Sequence, residues 1–170
     1  MNKDYDVIIL GGGVAGYYSA KALRQGGRSV ALIEKEALGG TALRWGALPV
    51  KRALDFFKER KGPREALLTS WQEDLRQLNF KLEENLLALG VDLYYGEGEL
   101  LDAQRVKVGE ESLKADYIII ATGTQATSIE GIEINRERII THKEAIVLKD
   151  IPDSIVILGG NVEGVEFASL

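Results

Sequence analysis

Residues 6–34 decide the fold, and they read DVIILGGGVAGYYSAKALRQGGRSVALIE. The apolar run at residues 7–10 predicts a buried strand, which a glycine-rich turn and a helix follow. A second apolar run at residues 30–33 predicts another strand, which ends at the acidic residue Glu34. The order strand, turn, helix, strand is typical of one repeating unit of a parallel α/β sheet.

The glycines of the turn are spaced as G-x-G-x-x-G, at Gly11, Gly13 and Gly16. The first allows the tight turn, the second leaves room for a pyrophosphate beside the backbone, and the third lets the helix pack closely. Glu34 follows at the distance where an acid accepts hydrogen bonds from a ribose 2′-hydroxyl. An ordinary glycine turn is the alternative, because 19 of the 170 residues are glycine. The strand, helix and acid around the turn favour a dinucleotide site.

The composition is that of a globular chain with a core, since 45% of the residues are hydrophobic and 28% are charged. A net charge of −5 and a pI of about 5.1 give no general attraction to nucleic acid or to anionic membranes. We find no apolar run near the roughly 20 residues of a membrane span. We also find no targeting signal at the start, so the expected location is cytoplasmic.

The sequence contains no cysteine. Disulfides and thiolate metal sites are therefore excluded within these residues. The single histidine, His142, has no second imidazole with which to share a metal ion. We interpret it as a solvated surface residue and predict no metal site.

Two helices are predicted after the first acid. Thr41 is positioned to cap a helix that runs through the Phe56 region and ends at Gly62. Residues 64–89 carry leucines and a tryptophan at steps of three and four, which predicts a long helix that stops at Gly90. Such a stripe favours core packing over a partner interface.

The pattern then changes to short β-like runs, at residues 91–100, 105–108 and 112–123. We expect the first and last runs to join the parallel sheet and the middle pieces to form an antiparallel flap. Residues 117–121 are apolar on both faces, which is typical of a central parallel strand. Because ligands lie beyond the carboxyl ends of such strands, this end should face the same crevice as residues 11–16.

The last part of the chain contains a capping signal and a repeat. Thr141 and Glu144 form a T-x-x-E capping box, which predicts a short helix. Residues 155–168 repeat residues 7–20 at an offset of 148, with seven identities in fourteen positions. A second dinucleotide fold therefore begins there. Asn161 replaces its middle glycine, and the asparagine side chain would crowd a pyrophosphate.

Two glycine loops, an ATG at residues 121–123 and GGTALRWGALPVK at residues 39–51 resemble one family. It is the pyridine nucleotide–disulfide oxidoreductases, and within it the chain is most similar to the dihydrolipoamide dehydrogenases. The resemblance implies an α/β, Rossmann-like FAD/NAD(P)-binding fold with a central parallel sheet, helices and a small antiparallel β-meander flap. It also implies that residues 1–150 are the N-terminal part of a discontinuous FAD-binding domain. Residues 151–170 would be the truncated first strand and helix start of an NAD(P)-binding domain.

The resemblance further implies which residues contact FAD. The pyrophosphate, ribose, adenine and flavin contacts would come from Gly11, Gly13, Gly16, Glu34, Gly40, Thr41, Lys51, Gly98, Thr122, Gly123 and Glu166. Lys51 would lie beside the flavin N5 and pair with Glu166, at about salt-bridge distance.

The family's two redox cysteines are replaced by Ala42 and Ala47. An alanine methyl group cannot be a nucleophile or half of a disulfide. Dithiol chemistry is therefore excluded, and we assign no catalytic residue. The neighbours Arg44, Trp45 and Val50 also differ from the family pattern.

Three functional hypotheses follow. The first is the FAD-binding N-terminal portion of a dihydrolipoamide-dehydrogenase-like oxidoreductase, whose complete form passes electrons from NAD(P)H through flavin to a non-disulfide acceptor. The second is a non-catalytic nucleotide-binding module, or a partner subunit of a 2-oxoacid dehydrogenase complex. The third is a fragment that folds without FAD. Asn161 puts NAD(P) binding in doubt, the resemblance implies a homodimer for the complete protein, and this chain alone is not expected to be catalytically competent.

Overall fold

The computed structural model of the chain describes residues 3–59, 62–150 and 152–170. They form two compact units, which we name by their content. The sheet unit consists of Met1–Gly40 and Gln77–Thr124, and the helical unit consists of Thr41–Arg76 and Gln125–Leu170.

The strands all lie in the sheet unit, and the helices are divided between the units. The strands are β1 (Lys3–Leu10), β2 (Val30–Glu34), β3 (Asp92–Tyr95), β4 (Gly98–Leu100), β5 (Arg105–Val108) and β6 (Glu111–Ile120). The helices are α1 (Val14–Gln25), α2 (Gly40–Arg44), α3 (Ala47–Lys58), α4 (Arg64–Ala88), α5 (His142–Val147) and α6 (Val162–Ala168). The first half of α4 belongs to the helical unit and its second half to the sheet unit.

Within the described residues, six strands form one sheet in the order β3-β2-β1-β6-β5-β4. The first four are parallel, and β6, β5 and β4 pair antiparallel. This confirms the predicted parallel sheet with an antiparallel flap. Only Gly96 and Glu97 join β3 to β4, although these strands stand at opposite ends of the strand order. The sheet therefore curls until its two edges approach each other.

Two apolar layers pack on the faces of the parallel strands. On one face, β1 and β2 pack against α1 and the end of α4, with this buried set: Val7, Ile9, Tyr17, Ala20, Val30, Leu32, Leu38, Leu86 and Val91. On the other face, the curled flap packs against β1 and β2, with this buried set: Tyr5, Ile8, Leu10, Ala31, Ile33, Val106, Val108, Leu113 and Ala115. At the end of β1, Val7 and Ile9 lie in the first layer and Ile8 and Leu10 in the second, because successive side chains of a strand point to opposite faces.

Strand β6 is central by pairing, since it lies between β1 and β5. The apolar run at residues 117–121 predicts this position correctly. The faces of β6 are less buried than its apolar sequence predicts, because Tyr117 is 72% exposed and Ile120 is 65% exposed. The buried residues of the helix-covered face come from β1, β2, the helices and the loop residues Leu38 and Val91. No described residue of β6 is in this buried set, so the helix cover does not extend fully over β6.

The chain after β2 forms two helices, and the prediction of one helix capped by Thr41 is wrong. Thr41 lies inside α2, and its carbonyl accepts the backbone N–H groups of Trp45 and Gly46 at 2.9 and 2.7 Å. These bonds close α2, and α3 begins after them. Pro49 explains the break, because it has no N–H to bond back to Trp45 and is tolerated only in the first turn of a helix.

The long helix α4 confirms the prediction for residues 64–89. Helix α3 ends at Lys58, before the expected stop at Gly62, and α4 ends before Gly90, whose φ is +79°. The predicted stripe residues of α4, and Leu89 directly after it, are buried or half-buried, as core packing requires: Leu67, Leu68, Trp71, Leu75, Leu78, Leu82, Leu86 and Leu89.

Helix α5 begins with the predicted capping box. The Lys143 N–H donates to Thr141 Oγ1 at 3.2 Å, and the Thr141 N–H donates to Glu144 Oε2 at 2.9 Å. The prediction that His142 is solvated is wrong, because its side chain is only 16% exposed. Its Nδ1 lies 3.7 Å from Glu163 Oε1 of α6, so the first residue after the cap points inward toward that helix.

Residues 155–158, which repeat β1, do not form a strand in the described part of the chain. A strand needs a ladder of hydrogen bonds to a neighbour, and none of the described strands pairs with this segment. The side chains of Ile155, Val156 and Leu158 stay exposed, with Val156 at 85%. The helix expected of the repeat is present as α6.

The predicted domain boundary falls at Ile151, which lies outside the described residues. The division into residues 1–150 and 151–170 therefore stays a prediction.

Within the described ranges, no helix combines the length and the apolar character that crossing a membrane requires.

Candidate dinucleotide site

The glycine loop between β1 and α1 has no room for a side chain at two of its three predicted glycines. A Cβ on Gly16 would lie 1.8 Å from the Gly11 carbonyl oxygen, and one on Gly11 would lie 2.3 Å from the Ala121 carbonyl oxygen. Gly11 also has a φ of +101°, which residues with a side chain rarely adopt. The fold alone therefore requires glycine at these two positions.

Gly13 is different, because its surroundings would admit a methyl group. A Cβ there would lie 3.7 Å from Gly40 Cα, an ordinary contact, and the φ of −69° suits any residue. Gly13 is the N-cap of α1, and no side chain caps the helix there. The N–H groups and the positive end of the helix dipole are therefore available to an anion. Packing in the described residues therefore does not require glycine at this position.

A second pair of glycines lies against the loop. The Gly39 N–H donates to the Gly12 carbonyl at 2.8 Å. A Cβ on Gly40 would lie 2.8 Å from Gly13 Cα, so the two backbones are in direct contact. The sequence predicts Gly40 as part of the site but missed Gly39, although the adjacent pair of glycines is the signal that marks both.

Glu34 ends β2 with its carboxylate directed at the loop. Its Oε2 accepts the Gly12 N–H at 2.7 Å, and its Oε1 accepts the Glu36 N–H at 2.8 Å. These two bonds hold the carboxylate at the carboxyl edge of the sheet. A carboxylate has about four acceptor positions, so it can still accept from a ribose hydroxyl.

The carboxyl end of β6 lies beside the same loop. The Ala121 N–H donates to the Leu10 carbonyl at 2.8 Å, and Thr122 Cα would lie 3.1 Å from a Cβ on Gly11. Thr122 is exposed, and Gly123 follows with a φ of +74° and open space around it. The expected meeting of the ATG segment and the glycine loop is confirmed.

Gly98 packs into the core, which the sequence did not predict. A Cβ there would lie 2.6 Å from Leu10 Cδ2 and 3.3 Å from Ile33 Cγ2. Glycine at this position therefore lets the curled sheet close over its own apolar layer. Contact between Gly98 and an adenine ring stays a prediction.

Tyr95 was missed by sequence reasoning. It is the last residue of β3 and the register partner of Glu34 in β2. Burial, the charge and hydrogen bond of Glu83 and the charge of Glu34 raise the pKa of the Tyr95 phenol. The signal that marks it is an aromatic residue at the carboxyl end of a strand next to the acid-bearing one.

In the helical unit, Lys51 of α3 and Glu166 of α6 form the ion pair that the resemblance implies. Lys51 Nζ donates to Glu166 Oε1 at 2.9 Å. The lysine side chain is 60% exposed and the glutamate side chain 23%, so the pair contributes little to stability. The predicted proximity is confirmed, and contact of Lys51 with a flavin stays a prediction.

The two alanines flank the break between α2 and α3. Ala42 is half-buried in α2, and Ala47 is exposed as the first residue of α3. Between them the Arg44 guanidinium carbon lies 5.1 Å from the centre of the Trp45 ring, which is a cation–π distance. The segment has no group that forms a thiolate or a disulfide.

The second glycine loop has the backbone of the first but a different cap. Gly159 has a φ of +112°, and a Cβ on Gly164 would lie 2.1 Å from its carbonyl oxygen, which repeats the close contact of the first loop. Asn161, at the position of Gly13, has a φ of −74°, and its Oδ1 accepts the Gly164 N–H at 3.0 Å. Asn161 therefore uses its own side chain to bind a helix N–H, which Gly13 cannot do.

Comparison with known proteins gives the same family for nearly the whole chain. A family model for pyridine nucleotide-disulphide oxidoreductases matches residues 5–170. A dihydrolipoyl dehydrogenase of Acholeplasma laidlawii is 37% identical over 191 aligned positions, which cover 100% of this chain and 57% of that protein. A dihydrolipoyl dehydrogenase of Bacillus subtilis strain 168 is 35% identical, with 100% and 42% covered.

Solved structures share the fold. The Cu(II) complex of the HOCl-induced flavoprotein disulfide reductase RclA from Escherichia coli has a TM-score of 0.82 at 28% identity. The match covers 99% of this chain and 40% of that one. The chain therefore spans about 40 to 57% of the length of these similar proteins.

Proposed function

Because the chain belongs to the pyridine nucleotide-disulphide oxidoreductase family, we propose that it holds FAD for an oxidoreductase that works without a redox disulfide. It corresponds to the N-terminal, FAD-binding part of a dihydrolipoyl-dehydrogenase-like protein. In our proposal, residues 1–150 form the FAD-binding domain and residues 151–170 begin a second nucleotide domain.

The glycine at position 13 is the observation that carries this proposal. Its surroundings have room for a methyl group, and it stands at an uncapped helix N-terminus. A diphosphate that approaches the backbone there accounts for both features. Glu34 supports the adenosine side of the same site, because its carboxylate is already directed at the loop.

The remaining predicted contacts complete the proposed site. Gly40 and Thr41 would lie along the pyrophosphate and the flavin, and Thr122 and Gly123 would close the site from β6. Lys51, held by Glu166, would put a cation beside the flavin, where it stabilises negative charge on the ring. Bound FAD would supply reversible electron transfer.

The electron acceptor of the complete protein is proposed to be a non-disulfide molecule, such as a quinone, oxygen or a dye. Ala42 and Ala47 support this choice, because neither side chain can carry electrons as a dithiol. The proposed electron donor is NADH or NADPH.

Replacing Gly13 with alanine tests the FAD site. We expect Gly13→Ala to fold with an unchanged Tm and to bind FAD about tenfold more weakly or worse, since the new methyl group occupies the approach of the diphosphate. The measurement is a titration of the FAD-free protein by flavin fluorescence, together with a thermal melt.

Gly160→Ala is the matched control, because it adds the same methyl group to the second loop in open space. It should leave FAD affinity unchanged. Equal FAD affinity in Gly13→Ala and wild type, or a wild-type chain that takes up no FAD, would contradict the proposal.

A second candidate function is favoured by Asn161. Because its side chain already caps α6, the second loop offers one fewer N–H to a nicotinamide dinucleotide. In this alternative the flavin, or another adenine nucleotide, serves structure or docking within a 2-oxoacid dehydrogenase complex. Loss of visible flavin absorbance on adding NADH or NADPH to the complete protein under argon supports the first function. No such loss, together with retention of a lipoyl-domain protein in a pull-down, supports the second.

A further inference from the structure

The carboxyl ends of β2 and β3 bring an aromatic ring next to the acid of the glycine loop. Glu34 and Tyr95 are register partners in neighbouring parallel strands, and such partners have their side chains on the same face of the sheet. The Gly96 N–H donates to the Glu34 carbonyl at 2.9 Å, which continues the pairing to the end of both strands. The Tyr95 ring therefore stands beside the Glu34 carboxylate.

The Tyr95 ring is held at its hydroxyl end and otherwise open. Its phenol is hydrogen-bonded to Glu83 of α4, and the residue is 52% exposed. The preceding residue, Tyr94, packs on the opposite face, where its hydroxyl lies 2.7 Å from that of Tyr5. The two adjacent tyrosines therefore have different environments. Tyr94 packs against the core, and the ring of Tyr95 is exposed at the edge of the sheet.

The phenol of Tyr95 adds no charge at this edge. Burial, the charge and hydrogen bond of Glu83 and the charge of Glu34 raise its pKa. Because the ordinary value is already near 10, the group stays protonated at neutral pH. The ring therefore offers a neutral π-face next to a carboxylate.

We propose that Tyr95 recognises the adenosine of the bound nucleotide, with its ring against the adenine while Glu34 binds the ribose. This inference rests on the proposed function and adds a binding residue to that site. Contact between a base and an aromatic ring needs the ring face and not the hydroxyl. The Glu83 hydrogen bond sets the ring orientation before the ligand arrives, so little side-chain freedom is lost on binding.

Two substitutions at Tyr95 separate the ring from its hydroxyl. We expect Tyr95→Ala to weaken binding of both FAD and ADP about tenfold, because the stacking surface is lost. Tyr95→Phe keeps that surface, so its affinities should stay within about twofold of wild type. Affinities are measured by flavin fluorescence for FAD and by calorimetry for ADP, with a thermal melt of each variant.

Tyr117→Ala is the matched control, since Tyr117 is a 72% exposed strand tyrosine that lies short of the carboxyl edge. Its affinities should equal those of wild type. If Tyr95→Ala does not fold, Tyr95→Leu keeps the apolar bulk without the aromatic face and takes its place.

The outcomes distinguish this inference from the proposed function. Wild-type protein that binds FAD and ADP, with equal binding by Tyr95→Ala, would overturn the role of Tyr95 and leave the proposed function standing. Tyr95→Phe as weak as Tyr95→Ala would overturn recognition by the ring, because the hydroxyl and its Glu83 bond would then carry the binding. Wild-type protein that binds neither FAD nor ADP would overturn both the role of Tyr95 and the proposed function.

Discussion

Gly16 is the residue at which an added side chain would meet the closest contact, 1.8 Å from the Gly11 carbonyl oxygen. Because that neighbour is backbone, α1 must move away from β1 to admit a methyl group. We expect Gly16→Ala to lower the free energy of unfolding by about 3 kcal/mol or more. Chemical denaturation measures this. Gly13→Ala is the control, and a similar loss of stability in both variants would contradict the distinction between a packing glycine and a ligand glycine.

The sequence predicted which residues lie together at the candidate site where that proximity follows from spacing along the chain. The glycine loop and Glu34 belong to one β-α-β unit. Their spacing in the sequence is therefore enough to predict that they lie close together. Tyr95 could not be found in this way, because its position beside Glu34 depends on strand register across 61 residues, from 34 to 95. Gly98 was assigned to adenine contact, and its packing against Leu10 became visible only with the curl of the sheet.

At the scale of elements, the capping box of α5 gives a pH-dependent contribution to stability. The hydrogen bonds from Thr141 hold the pKa of Glu144 below its usual value. A lowered folded-state pKa means that the stabilisation is present above the unfolded-state pKa and is lost as the pH falls through the folded-state pKa. The helix should therefore lose part of its anchoring in acid.

Thr141→Val tests this contribution. We expect a loss of about 1 kcal/mol near neutral pH, since the cap to Lys143 and the hydroxyl bond to Glu144 both disappear. The part that depends on the Glu144 charge should shrink in acid, so the difference from wild type narrows. Urea unfolding over a pH series measures it, and Thr141→Ser keeps the hydroxyl and should match wild type. A difference that grows in acid would contradict the assignment.

The two elements that the sequence misjudged have different physical causes. A helix from Thr41 onward is reasonable by composition, but Pro49 removes the N–H that a continuous helix needs. Residues 155–158 have the apolar, β-branched character of a strand, and a strand forms only with a neighbour to pair with. The helix break was visible in the sequence at Pro49, whereas the sequence of residues 155–158 could not show whether a neighbouring strand is present.

At the scale of the whole molecule, the unpaired repeat at residues 155–158 leaves a short run of apolar side chains exposed. Val156 is 85% exposed in the unpaired repeat, and Ile155 and Leu158 are 56% and 58% exposed. Contiguous exposed apolar surface promotes association. We expect the chain to self-associate through this segment.

Val156→Lys tests this expectation. A charge at the most exposed apolar position should raise the monomeric fraction in size-exclusion chromatography with light scattering. Ser154→Lys adds the same charge two residues away, at a position that is already polar and exposed, and should change the fraction less. Equal effects of the two lysines would indicate that net charge alone, and not the apolar segment, controls association.

The methyl groups of Ala42 and Ala47 also make these two positions unreactive toward reagents that modify thiols. Alkylating reagents, heavy-metal ions and peroxides inactivate dithiol enzymes by attacking the sulfur atoms. This chain has no cysteine for them to attack. Oxidants inactivate a redox disulfide by oxidising its sulfur atoms further. The side chains at positions 42 and 47, beside the α2–α3 break, contain no sulfur and do not react in this way.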